Sequence, residues 1–327
     1  MRQGKISQAV LDRSVLRVIK STNPCIELGS GIGRDASVIM PHGKRQVFST
    51  RSISVNSIKQ LENEFVHMVN HIACAAGVAQ AVMLSIVFPC EADEKLLKEI
   101  VKTIDQKCAV YNMQIMGGHT TVSKDVNVPV VTMTGTGFND IIDFVPNAKP
   151  NQDIVITKWI ALEGTSIVAE KYNEKLKKTL PNYLVDEAVR FGDYIDSSTE
   201  SLEAYQLGAS VVHDAAEGGI FAALWEFAYA SGVGIEVDIK KIPVKQETVE
   251  VCECLHINPY EFLSTGSVII AADNGEAICR QLALKNINAV VVGRTTDSND
   301  RVIVNEDEVR HLTPACQDYI YNDNELK

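Results

Sequence analysis

Apolar positions along this chain follow two alternating periods. Within Ser54–Ala76, Ile58, Leu61, Phe65, Met68 and Ile72 recur at three- and four-residue spacings, which puts them on one stripe of a helix. Shorter runs rich in β-branched residues lie between such segments and predict strands. In order, the pattern predicts a helix over Ser7–Ile19, a glycine-rich turn at Gly29–Gly33, a strand at Gln46–Thr50, the helix Ser54–Ala76, a strand at Val82–Phe88, a helix at Asp93–Tyr111 and a buried β run from Pro129 to Thr134. The polar, proline-bearing segment Asn147–Asn151 then interrupts the alternation. Beyond it come a strand at Asp153–Thr157, a helix that follows Glu163-Gly164-Thr165 and runs to about Leu176, helices around Tyr183–Tyr194 and Glu200–Gln206, a strand at Ala209–His213 and a helix at Phe221–Ser231. Two helix–strand units, Glu247–Leu255 with Ser267–Ala272 and Glu276–Lys285 with Ala289–Val292, complete a second sheet. Helices alternate with strands throughout, so the class is α/β or α+β. At 327 residues the chain exceeds one ordinary core, and the interruption divides it into expected domains of residues 1–150 and 151–327.

One apolar run tests this reading. Ile72–Cys90 carries no formal charge over 19 residues, close to membrane-spanning length. Gly77, Gln80 and Pro89 interrupt it, and AVMLSIVF reads better as a buried strand after an alanine-rich helix end, so no membrane insertion is expected. The N-terminal segment is a charged amphipathic helix candidate without a leader pattern. The net charge of −11 disfavours a general nucleic-acid binder, which needs clustered Lys and Arg. The eight cysteines are scattered and form neither a zinc spacing nor a disulfide framework, which fits a reducing cytoplasm. Cys74, Cys90, Cys108 and Cys279 read as small core residues, and Lys171, Lys175, Lys177 and Lys178 as a solvated helix face.

Candidate chemistry gathers at glycines. Gln114–Gly137 joins two strand-like runs with the pair Gly117-Gly118, the donors His119, Thr120 and Thr121, and a second flexible rim at Gly135-x-Gly137. Glycines there let a ligand approach the backbone, although a bulge or tight turn is the readier explanation of a Gly-Gly pair beside a strand. His213, Asp214 and Glu217 precede Gly218-Gly219 and a helix, whose first N–H groups would receive an anion.

Together the motifs LGSGIGRDASVI (28–39), STRSI (49–53), NHIACAAGVAQAVMLSIVFP (70–89), GGHTTV (117–122), TKWIALEGTSIVA (157–169), HDAAEGGIFAAL (213–224) and EFLSTGSVII (261–270) resemble the AIR synthase superfamily. The C-terminal half, with EFLSTGS, is most similar to its HypE-like hydrogenase maturation branch. The resemblance implies a two-domain fold in which the N-terminal sheet closes a barrel across a homodimer and the second domain covers nucleotide sites at the interface. It implies ATP lying along Gly31, Gly33, Arg34, Asp35, Asn70, Gly117, Gly118, His119, Thr120, Lys158, Glu163, Gly218 and Gly219. His213, Asp214 and Glu217 are the catalytic candidates near substrate or phosphates.

The sequence departs from the family where magnesium ligands are expected. Asp35 remains, but Arg34, Arg51 and His71 stand where acids are usual. Magnesium needs oxygen ligands, which guanidinium and imidazole do not supply. Exchanging two carboxylates for Arg51 and neutral His71 raises the local charge by about three units, and one unit pair at about 4 Å is worth about 4 kcal/mol at an effective dielectric of roughly 20. Either Arg34 and Arg51 replace the metal as phosphate clamps, or Arg51 and His71 pair with local acids such as Asp35 and the pocket is a relic. The HypE branch also carries its carbamoyl group on a C-terminal cysteine, whereas the last cysteine here, Cys316, lies eleven residues from the end. The expectation is therefore a cytoplasmic, homodimeric HypE-like protein with a modified nucleotide or phosphate pocket. The alternatives are an active ATP-dependent small-molecule kinase or ligase, and a noncatalytic dimer that binds a protein partner.

Overall fold

The computed structural model describes residues 8–12, 26–28, 31–34, 36–40, 45–141, 144–314 and 317–321. Of the expected first helix, α1 (Gln8–Leu11) is helical, and the part beyond Asp12 lies outside the described residues, as do Asp35 and Cys316. Two compact units emerge. One contains described residues 26–28, 36–40 and 45–141; the other contains 8–12, 31–34 and 144–321.

The first unit is one mixed sheet covered by two helices. Its strands are β1 (Ile26–Leu28), β2 (Ser37–Ile39), β3 (Arg45–Ser54), β4 (Val78–Pro89), β5 (Gln114–Ser123) and β6 (Val130–Asn139), in the order β1-β2-β3-β6-β4-β5. Only β4 and β5 are parallel, and the sheet is open rather than closed. The helix α2 (Ile58–Cys74) starts at Ser57, whose hydroxyl accepts from Gln60 N–H at 3.1 Å. Its stripe Leu61, Phe65, Met68 and Ile72 is fully buried, and α3 (Glu94–Val110), capped by Asp93, packs beside it. The apolar run Ile72–Cys90 is the last turn of α2 followed by β4, and no helix among the described residues is long and apolar enough to cross a membrane.

The glycine clusters of this unit are not loops. β6 runs straight through Gly135 and Gly137, because any side chain there would strike neighbours: a Cβ on Gly135 would lie 2.7 Å from Met68 Sδ, and one on Gly137 2.4 Å from the Val78 carbonyl. The expected rim is thus a close contact between helix and sheet. Gly117 and Gly118 sit inside β5 next to a register shift opposite Val82/Met83, with φ of 156° and 152°. Their immediate setting is a β-bulge.

The second unit is a seven-stranded sheet in the order β13-β12-β9-β11-β7-β10-β8. The strands are β7 (Asp153–Thr157), β8 (Val211–Ala215), β9 (Gly234–Asp238), β10 (Ser267–Ala272), β11 (Ala289–Thr296), β12 (Arg301–Asn305) and β13 (Glu308–His311). Every pairing is antiparallel except β12 with β9. Its helices are α4 (Leu162–Lys171), α5 (Asn173–Leu176), α6 (Asn182–Arg190), α7 (Ser198–Gln206), α8 (Gly219–Ser231), α9 (Gln246–Leu255) and α10 (Gly275–Ala283). One core joins α8 to the sheet through Ile220, Leu224, Phe227, Ile154, Ile269 and Val292; a second joins α4, α6 and α9 through Val168, Val185 and Val251. The helix expected after Thr165 begins earlier, at Leu162, and breaks after Lys171.

Candidate functional site

In the first unit, β3 and α2 bring the altered metal positions together. Odd-numbered residues of β3 face α2, so Ser49 and Arg51 point at the helix while Thr50 and Ser52 join a hydroxyl ladder with Thr134 and Thr132 on the other face. Arg51 Nε donates to Glu64 Oε2 at 2.7 Å, and its Nη2 lies 3.3 Å from His67 Nδ1. His67 in turn lies 3.7 Å from Glu64. His71 Nδ1 is 3.4 Å from the Ser49 hydroxyl, and Asn70 is completely buried. The acid that pairs with Arg51 is therefore Glu64, which the sequence reading did not single out. A signal existed: Asn63, His67 and Asn70 recur at four- and three-residue spacing beside the apolar stripe and are all buried. They form a second, polar seam along α2, with Glu64 at its edge.

β5 presents His119 and Thr120 as exposed side chains. Gly118 is held by packing, since a Cβ would fall 1.8 Å from the Leu84 carbonyl oxygen, whereas Gly117 faces open space.

In the second unit, three of the predicted motifs converge. The Gly164 N–H donates to the Leu263 carbonyl at 3.0 Å, and the N–H groups of Gly219 and Ser264 both reach the Ala216 carbonyl. A side chain on Gly164 would lie 2.7 Å from the Phe262 ring, and one on Gly219 2.5 Å from the Tyr260 carbonyl. These glycines thus let 163–165, 217–219 and 260–266 touch backbone to backbone. Glu163 is buried in the first turn of α4, and His213 and Asp214 are buried on β8. His213 Nε2 is 3.9 Å from Glu226 Oε2, while Gln8 Nε2 donates to Glu226 Oε1 at 3.2 Å. Gly33, at φ 69°, lies against α8 so closely that a Cβ would be 2.4 Å from the Glu226 carbonyl. Gly31 and the exposed Arg34 flank it.

The start of α8 carries an anion belonging to the chain itself. Gly218 N–H donates to Asp318 Oδ2 at 2.7 Å, and Asp318 Oδ1 accepts from Ile320 N–H at 3.0 Å. Burial pushes the Asp318 carboxyl up to about 6; the neighbouring charge of Glu217 adds to this, and the N–H donors of Ile320, Gly218 and Leu263 oppose it. The helix N-terminus foreseen as a phosphate seat thus holds a carboxylate.

Lys158 stands apart from this convergence. Its backbone is left-handed at φ 50°, and its Nζ pairs with Glu200 Oε1 at 2.7 Å and donates to the carbonyls of Tyr194 and Asp196. Glu200 is almost wholly buried, and burial raises its carboxyl above the ordinary range against the opposing pull of Lys158. Among the described residues no group of three His, Cys, Asp or Glu side chains is arranged to hold a metal ion. The residues described at the expected magnesium positions, Arg51 and His71, do not fit that cation.

Comparison with known proteins accounts for these motifs. The sequence matches the N-terminal domain of AIR synthase related proteins over residues 33–138 and the C-terminal domain over 149–305. It is 24% identical over 317 residues to a putative hydrogenase expression/formation protein of Methanocaldococcus jannaschii, covering 92% of this chain and 91% of the relative. A HypE solved in complex with ATP shares the fold with a TM-score of 0.67 at 19% identity, covering 98% of this chain and 97% of that one. A HypE–HypF complex structure matches with a TM-score of 0.67 at 20% identity, covering 85% and 92% respectively. The chain belongs to the AIR synthase-related family and is similar to its HypE-like hydrogenase maturation members.

Proposed function

We propose that this protein binds ATP or another phosphorylated ligand as a HypE-like member of its family, with arginine at positions where the family resemblance implies magnesium ligands. The observation that carries anion binding is the Arg51 guanidinium, partly open to solvent and held in place between β3 and α2. The choice of a nucleotide is supported by the likeness to the ATP-bound HypE. Arg51, oriented by Glu64 and His67, supplies fixed positive charge in the first unit. The open sheet face, with Val78, Met83 and Phe138 exposed, supports homodimer assembly. Titration calorimetry of ATP, with magnesium and with EDTA, tests the reading. Binding is expected to survive EDTA and to weaken in Arg51→Ala, whereas Arg51→Asp with His71→Asp would make binding magnesium-dependent. Wild-type binding only with magnesium would restore the family's metal route. Absence of binding under every condition would favour a partner-binding protein, a reading supported by the HypE–HypF likeness.

A further inference from the structure

A recess lies in the second unit, between the first turn of α8 and the outer strand β13. It is a cavity of about 140 Å³ whose apolar wall is formed by Phe221, Ile239, Ile303 and Leu312. Ile303 belongs to the buried core and the other three pack at its margin, so the wall is an edge of that core. Cavities of roughly 150 Å³ accept a molecule the size of benzene, which matches the bulk of a leucyl or phenyl group. Two opposite charges, Arg310 and Glu261, also line the cavity. Among the described residues neither forms an ion pair or a side-chain hydrogen bond, with each other or with any other group. Unpaired charges of opposite sign beside one apolar wall are complementary to a ligand that carries both signs next to an apolar body.

We infer that this cavity is a binding site for a free α-amino acid with an apolar side chain. The side chain packs on the apolar wall, the carboxylate meets the planar fork of Arg310, and the ammonium group meets the carboxylate of Glu261. A simple carboxylic acid leaves Glu261 facing an anion, and a simple amine leaves Arg310 facing a cation, so both are disfavoured. The inference stands on this cavity alone and does not rest on nucleotide binding.

Titration calorimetry with L-leucine and L-phenylalanine tests it. The full-length protein is expected to bind at least one of them, and N-acetyl-L-leucine and L-leucinamide are each expected to bind about tenfold more weakly than L-leucine or worse, since each loses one charge-assisted contact. Arg310→Gln and Glu261→Gln, at exposed positions, are expected to retain the wild-type melting temperature and each to weaken L-leucine about tenfold. In Glu261→Gln, acetylation should bring little further loss, because the partner of the ammonium group is already gone. No binding of either amino acid at millimolar concentration overturns the inference. So does binding of N-acetyl-L-leucine as tight as that of L-leucine, a comparison that holds even should a variant fail to fold.

Discussion

At the scale of single residues, the two lysine and arginine candidates are held by quite different surroundings. Lys158, partly buried, pairs with the buried Glu200, so Lys158→Met strands a carboxylate in the interior and is expected to destabilise the fold by about 3 kcal/mol, read from urea denaturation. Adding Glu200→Leu should recover much of that loss; a double variant as unstable as Lys158→Met would show that the lysine acts through something other than this pair. Arg51 and Glu64 are partly exposed, so their coupling in a double-mutant cycle should stay near or below about 1 kcal/mol. The adjacent glycines of β5 also separate. Gly118→Ala forces a methyl into the Leu84 carbonyl and should cost several kcal/mol, on the order of 3 or more, whereas Gly117→Ala meets open space and bears only backbone strain of about 1–2 kcal/mol. Equal losses at the two positions would contradict the bulge geometry.

At the scale of elements, the C-terminal turn held by Asp318 responds to pH. Its carboxyl rises from 3.8 to about 6 on folding, so the turn contributes stability that is complete below pH about 4 and lost as pH rises through about 6. That move corresponds to roughly 3 kcal/mol. Across this window wild-type stability should fall relative to Asp318→Asn, which carries no titrating carboxyl there; parallel pH profiles for the two proteins would refute the assignment. Elements with strong periodicity were legible in the sequence: α3 follows its apolar spacing, and β7 and β10 are compact β-branched runs. β9, β12 and β13 were not, because they are short and mix charge into the pattern, and β13 is exposed along its whole length. Gly135 and Gly137 misled for a physical reason, since glycine marks close packing as well as turns. The polar seam beside Arg51 was written in the spacing of Asn63, His67 and Asn70, whereas the meeting of 163–165, 217–219 and 260–266 depends on contacts distant in sequence that no local spacing encodes.

At the scale of the whole molecule, the open six-stranded sheet leaves β5 as an edge whose residues are almost all exposed. Such an edge invites pairing. The protein is expected to sediment as a dimer at micromolar concentration, and a monomeric mass throughout that range would remove the support for assembly through this face. The two units are also not consecutive along the chain: residues 8–12 and 31–34 belong with the unit whose body begins at Phe144, and Gln8 and Gly33 both rest on Glu226 of α8. The ribosome makes these segments first and their resting place more than a hundred residues later. During synthesis the early sheet is made while its leading stretch waits undocked, and a nascent chain stalled before α8 would leave Gly33 without the helix it packs against.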